Sequence, residues 1–189
     1  MNKKYNIVYA DPPWSYNSRR SNYIANGSGE TLRHYDTLTL DELKEMPINE
    51  ITDKNAMLFM WATFPQLQEA LDLIKAWGFI YKTVAFSWVK TTKDGTKPAF
   101  GVGYYTRNNV EICLLGVKGK PFKEVGNMSS VIISPREEHS KKPDVVREKI
   151  VELCGNLPRI ELFARKETEG WDVFGNEVEN SNNELNFLL

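Results

Sequence analysis

Cysteine is nearly absent from this chain. Only Cys113 and Cys154 occur among 189 residues, both in apolar surroundings and without the spacing of a zinc site. They are expected as buried thiols, not as a disulfide, which fits a reducing cytoplasm. Long hydrophobic runs are missing too. No stretch approaches the ~20 apolar residues of a membrane span, and the start MNKKYNIVYADPP turns polar too soon for a signal peptide. A membrane is therefore not an expected partner. Net charge is also lacking, at −1, so the whole-molecule field does not announce a polyanion binder. There is no G-x-G-x-x-G after a strand, because GVGY at 101–104 lacks the third glycine; a dinucleotide fold is disfavoured. Internal repeats and an interdomain linker are absent as well. A single domain over residues 1–178 is expected, with a polar tail at 179–189.

What is present alternates between strand and helix. Ile7, Val8 and Tyr9 suit a short buried strand that stops at Asp11. A long polar stretch, SYNSRRSNYIANGSGETLRHYD, exceeds an ordinary connection and predicts a functional loop. TLDELKEMP predicts a short helix, with Thr39 and Glu42 as a capping box and Pro47 as its stop. AMLFMWA (56–62) predicts a buried strand. TFPQLQEALDLIKAWG predicts a helix from Pro65 to Gly78 with Leu67, Leu71, Ile74 and Trp77 on one face. Further strands are expected at 83–90, 110–119, 131–134 and 159–165, with a helix in KKPDVVREKIVELCG between the last two. Continuous apolar strands alternating with helices imply an α/β architecture: an open, mostly parallel sheet with helices on both faces. Ligands of such sheets bind beyond the carboxyl ends of the strands. Asp11 and Arg165 both fall at such ends.

Charge is uneven along the chain. Between Lys82 and Lys123 eight cationic side chains face only two acids, Asp94 and Glu111; from Gly155 onward three cations face seven acids. One face can therefore meet phosphates, although a solvated basic surface has the same composition.

The stretch IVYADPPWSY asks for chemistry. Pro12 and Pro13 lack an N–H and fix φ near ~−65°, so the Asp11 carboxylate and the Pro12 carbonyl sit at a rigid strand end. The exocyclic amine of a nucleobase is a poor nucleophile because its lone pair is delocalised into the ring. Two rigid acceptors gripping its N–H groups favour a pyramidal nitrogen, and preorganised dipoles cost little reorganisation. Trp14 is read as a face on which the base could stack. A proline-rich turn with an exposed tryptophan is the plain alternative.

DPPW at 11–14 resembles the signature of amino-methyltransferases acting on adenine. With HYDTLTLDEL, MLFMWAT, SWVKT, NNVEICLLGVKG, HSKKPD, RIELFAR and GWDVFGNE in the same order, the chain resembles the branch holding the messenger-RNA N6-adenosine methyltransferase and its bacterial and phage DNA relatives. The resemblance implies a Rossmann-like methyltransferase fold over residues 1–178, in permuted order, with the catalytic strand first and the cofactor strand near the C-terminus. It implies S-adenosylmethionine as cofactor and nucleic acid as substrate, with DNA favoured over RNA. Asp11, Pro12, Pro13 and Trp14 would be catalytic. Asp11, Lys142, Glu161, Arg165, Asn176 and Glu177 would meet the cofactor, Lys142 at its carboxylate end. Tyr35 would lie beside the active-site mouth. The family's contact pair after the IELFAR strand is replaced here by Lys166, Glu167 and Thr168. Arg19, Arg20 and Arg33 in the first loop, and Lys93, Lys97 and Arg107 with Tyr104 and Tyr105 in the second, are the expected grip on the nucleic acid. No metal is expected. A homodimer or a second methyltransferase-like subunit is the candidate protein partner.

Other readings attach to the same residues. His139 and Lys142 could merely begin a helix, Glu161 could be a paired structural acid, and Trp61, Trp77 and Trp88 fit a core. A cytosine amino-methyltransferase, a non-catalytic scaffold subunit and a small-molecule methyltransferase are the rival functions.

Overall fold

The computed structural model describes residues 3–14, 37–101, 103, 105–136 and 141–179. Among these residues seven strands form one sheet: β1 (Tyr5–Ala10), β2 (Thr52–Ala62), β3 (Ile80–Thr91), β4 (Val110–Lys118), β5 (Val131–Pro135), β6 (Arg159–Leu162) and β7 (Asp172–Phe174). Their spatial order is β5-β3-β4-β2-β1-β6-β7. β1 is parallel to both β2 and β6, β6 to β7, and β3 to β5. β4 alone is reversed, pairing antiparallel with β2 and with β3. The mostly parallel sheet expected from sequence is therefore present, with one reversed strand inside it.

Both faces are covered, which is why the central strands read as continuous apolar runs. Successive side chains point to opposite faces. Val8, Ala10, Leu58 and Met60 face one layer, built from α1 (Leu40–Glu45), α2 (Ile48–Ile51) and α3 (Leu67–Ala76). Ile7, Tyr9, Met57, Phe59 and Trp61 face the other, closed by Val146, Ile150 and Cys154 of α4 (Val145–Cys154). Trp61, Trp77 and Trp88 are core residues, and the Trp77 indole donates to the Leu43 carbonyl at 2.8 Å. Cys113 and Cys154 are buried free thiols. Burial pushes the Cys154 thiol up to about 12, so it stays protonated and inert.

Local signals set several ends. Thr39 and Glu42 form the reciprocal capping box of α1. Pro65 lies in a 3-10 turn, Phe64–Gln66, and α3 proper begins at Leu67. On α3 the buried face is Ala70, Leu73 and Ile74, continued by Trp77; Leu67 and Leu71 sit at its margin. The last long strand is shorter than its apolar run, ending at Leu162, because Phe163 takes φ 62° and turns the chain. GWDVFGNE supplies the edge strand β7, which its three residues and flanking glycines hide from periodicity.

Leu58 lies at 0% exposure in β2, between α3 and the sheet. Leu58→Ala should lower unfolding free energy by about 2–5 kcal/mol. Urea titration checks this, and a loss well below 1 kcal/mol would mean this layer is not the core.

Candidate active site

The six co-directed strands end at one edge of the sheet, and reversed β4 begins there. Registers Ala10↔Met60, Ala10↔Leu162 and Ala62↔Ile112 place Asp11, the turn after β6 and Glu111 along that edge. The proline pair locks the turn that leaves β1. Trp14 N–H donates to the Pro12 carbonyl at 2.9 Å, and Leu38 N–H donates to the Pro13 carbonyl at 3.1 Å. Trp14 and Leu38 form an isolated parallel bridge, so the tetrapeptide is clipped to the segment entering α1. The Pro12 carbonyl keeps a second lone pair for an incoming N–H.

The Trp14 ring is not the open stacking face read from the sequence. Only 8% exposed, it packs into the layer beneath α1–α3. The bridge to Leu38 turns it inward, and its indole Nε1 is buried without a hydrogen-bond partner.

Asp11 is held by a lysine. Lys142 Nζ donates to Asp11 Oδ2 at 2.7 Å and stands 3.4 Å from Glu111 Oε2, with its side chain 9% exposed. The ammonium also lies 5.7 Å from the centre of the Trp61 ring. Glu111 pairs in turn with Lys90, whose ammonium lies over the Trp88 ring. Signs therefore alternate from Asp11 through Lys142 and Glu111 to Lys90.

Burial raises the Asp11 carboxyl above the usual aspartate range, against the pull of Lys142. Glu111 behaves oppositely: burial would raise it, but the charges of Lys142 and Lys90 outweigh burial and hold it low. Burial would lower Lys142, yet the charges of Asp11 and Glu111 keep its ammonium above the ordinary range.

The expected cofactor residues fall in two groups. Glu161, 7% exposed, is gripped edge-on by Arg147 of α4, with Nε to Oε2 at 2.7 Å and Nη2 to Oε1 at 2.5 Å. In this arrangement it is a paired acid that pins α4 to β6. Arg165 Nε lies 3.8 Å from Glu177 Oε1, and Asn176 and Glu177 are exposed in the turn after β7. Ala164 N–H donates to the Phe174 carbonyl at 3.0 Å. A Cβ on Gly175 would stand 2.2 Å from the Ala164 carbonyl, so only glycine lets the two turns meet.

Lys93, Lys97 and Arg107 are exposed on the connection between β3 and β4, which opens at the same edge. Arg19, Arg20, Arg33, Tyr35, Tyr104 and His139 lie outside the described residues. Sequence reasoning missed Glu111, Lys90 and Arg147 as site residues. The one signal for Glu111 was an acid inside the apolar run NNVEICLLG; its pairing with a lysine 31 positions later has no local signature. Among the described residues no group of histidine, cysteine, aspartate or glutamate could hold a metal ion.

A mostly parallel sheet covered on both faces, with an acidic tetrapeptide at the carboxyl end of a central strand, is the build of a Rossmann-like methyltransferase. The MT-A70 family model matches residues 5–177, and the chain belongs to that family. The Type II methyltransferase M.MunI of a Mycoplasma species is 35% identical over 201 residues, covering 97% of this chain and 82% of that protein. The human N(6)-adenosine-methyltransferase catalytic subunit METTL3 is 29% identical over 181 residues, 93% of this chain and 28% of that protein. A putative N(6)-adenosine-methyltransferase MT-A70-like protein of Medicago truncatula is 27% identical over 179 residues, 93% and 26% respectively. The chain thus spans less than a third of these two eukaryotic relatives.

If Asp11 must be ionised to act, activity falls as pH drops through its raised pKa, above the ~3.9 of a free aspartate. Removing a neighbouring cation raises a carboxyl pKa and removing a neighbouring anion lowers it. The acid limb of kcat/KM against pH should therefore move up in Lys142→Met and down in Glu111→Gln. Limbs that stay in place would detach this charge chain from Asp11.

Proposed function

We propose that this protein transfers a methyl group to the exocyclic N6 amine of adenine in nucleic acid, with DNA favoured over RNA. The observation that carries the reading is Asp11: a carboxylate fixed by two prolines at a strand end, with one oxygen, Oδ2, taken by Lys142. Oδ1 is then the oxygen that receives one N–H of the amine, and the Pro12 carbonyl receives the other. Gripped at both hydrogens, the nitrogen turns its lone pair away from the ring and toward the methyl donor. Positioning and fixed dipoles do most of this work. Lys142 fixes which way the carboxylate faces, and Glu111 with Lys90 fixes Lys142.

S-adenosylmethionine is the methyl donor used by this family, and it supplies an electrophilic methyl group. The residues present fit such a molecule. The joined turns after β6 and β7 form a backbone cradle that a Cβ on Gly175 would fill, beside the exposed Asn176 and Glu177 and the half-exposed Arg165. Amide, carboxylate and guanidinium groups together suit ribose hydroxyls and an adenine edge. Glu161 would contribute through whatever lone pairs Arg147 leaves. Lys142 would reach the cofactor's carboxylate end only by loosening its hold on Asp11 or Glu111.

DNA is favoured because M.MunI, a Type II methyltransferase, is matched along 82% of its length at 35% identity. The N(6)-adenosine relatives support RNA as the second reading, over a smaller share of their chains. Site-specific action on DNA, a location in the cytoplasm, and a homodimer or second methyltransferase-like subunit complete the proposal. The exposed cations Lys93, Lys97 and Arg107 meet the phosphates. The one acid among them, Asp94, is occupied by the Thr92 and Thr96 hydroxyls.

Asp11→Asn should cut methyl transfer by roughly two to four decades while cofactor affinity changes little. Mass spectrometry of nucleosides from DNA and RNA incubated with each protein reads this. N6-methyladenine made at a normal rate by the variant would sink the amine-gripping role, and methylation confined to RNA would reverse the substrate choice.

Neutralising Lys93, Lys97 and Arg107 together should weaken oligonucleotide binding. It should also flatten the dependence of log K on log salt by about 0.7–0.9 per lost phosphate contact. An unchanged slope would make these side chains a solvated surface.

A further inference from the structure

Two large apolar side chains stand in solvent on the connection that carries those cations. Phe100 is 72% exposed, and Tyr105 is as exposed as a residue can be. Such side chains ordinarily fold inward, yet these stand on closely bonded backbone. The Lys90 carbonyl at the end of β3 accepts the Ala99 N–H at 2.7 Å, and the Lys90 N–H donates to the Asn109 carbonyl at 2.8 Å. Gly101 N–H donates to the Asn108 carbonyl at 2.9 Å, and Asn109 Nδ2 donates to the Ala99 carbonyl at 3.2 Å. The two arms meet so closely that a Cβ on Gly101 would stand 2.5 Å from the Asn108 carbonyl, and one on Gly103 would stand 1.9 Å from the Thr106 carbonyl. Ala99 is buried at the foot of this arm, while Phe100 and Tyr105 project beyond it. The result is a pinned hairpin that displays aromatic rings.

Its root lies in the active site. Lys90, clamped between the two arms, is the residue whose ammonium pairs with Glu111, and Glu111 contacts the lysine that holds Asp11. Tyr105 is six residues from Glu111, a span of at most about 20 Å of extended chain, comparable with the width of a duplex. The partner's charge is also set, since Lys93, Lys97 and Arg107 flank the rings and only Asp94 opposes them.

An adenine can reach Asp11 only outside its stack, and in a duplex that leaves a gap whose unstacking must be offset. Apolar and aromatic wedges fill such gaps elsewhere. We propose that Phe100 and Tyr105 form the wedge that enters the duplex where the target adenine leaves, stacking on the bases it exposes. This rests on the adenine-methylation reading and assigns the opening step to these two rings.

The test is the ratio of methylation rates on two forms of one substrate, a random-sequence adenine-containing 40-mer pool annealed as duplex or left single-stranded, with radiolabelled S-adenosylmethionine. In Phe100→Ala/Tyr105→Ala the duplex-to-single-strand ratio should fall about tenfold, in line with losing one or two stacked bases. Phe100→Ala/Tyr105→Trp should restore most of it. Both positions are exposed enough that folding is not at stake, and sedimentation of each variant verifies the assembly state. An unchanged ratio overturns the wedge. So does an equal fall on both substrates, and if sedimentation changes with it the rings belong to a protein interface. Wild-type protein active only on single strands overturns it too, for then nothing needs opening. Wild-type protein that methylates neither pool would instead overturn the DNA-adenine reading beneath it.

Discussion

The nearly buried ammonium of Lys142 touches two partly exposed carboxylates, and the reactive edge of the sheet is arranged around that contact. Asp11 comes from the end of β1, Glu111 from the start of β4, and Lys142 from the approach to α4. Without the lysine, two partly buried acids would face the same small volume, a repulsion one of them would relieve by taking a proton. With it, both can be ionised, and Asp11 is aimed. A buried pair is weak ground for stability but good ground for a fixed geometry. Methyl transfer to a reluctant amine needs geometry.

The two helical layers make that contact possible. α4 is tied to β6 by the Arg147–Glu161 pair, and Arg147 also lies 5.4 Å from the Tyr9 ring on β1. The Trp61 indole donates to the Tyr9 hydroxyl at 2.6 Å, joining β2 to the same group. The elements that bear Asp11 and flank Lys142 are thus locked below the edge before any ligand arrives. Phe163, a non-glycine residue at φ 62°, turns the chain sharply at the end of β6 and lets the Ala164 and Gly175 backbones meet. Rigidity lies beneath the site, and exposed polar groups lie around its rim.

Much of this was legible because its signals are local. The proline pair announces a rigid strand end after Ile7–Tyr9, Thr39 and Glu42 announce a helix start, and the apolar runs of β1 and β2 announce a sheet covered on both sides. Trp61, Trp77 and Trp88 were readable as core from the elements holding them. What escaped depends on pairing across the sheet. The reversal of β4 has no mark in its own residues. Glu111 is remote in sequence from both Asp11 and Lys142, so its place between lysines comes only from strand order. Trp14 looked like an open face because its partner Leu38 lies 24 positions on. Glu161 carried two readings, and the arginine that takes it sits in the first turn of a helix whose facing direction the pattern did not show.

Reversing one strand inside a parallel sheet has an architectural result. Parallel neighbours need a crossover that travels the length of the sheet, whereas β3 and β4 are joined by a connection that never leaves the reactive edge. Its ends are fixed by hydrogen bonds at Lys90 and Asn109, and Ala99 is the residue it buries at its foot. The described residues of this connection, 92–101, 103 and 105–108, are therefore a cassette. Chemistry stays with β1, and a different cassette that kept the Ala99 bond to Lys90 would change what is approached while leaving Asp11 and its lysine in place.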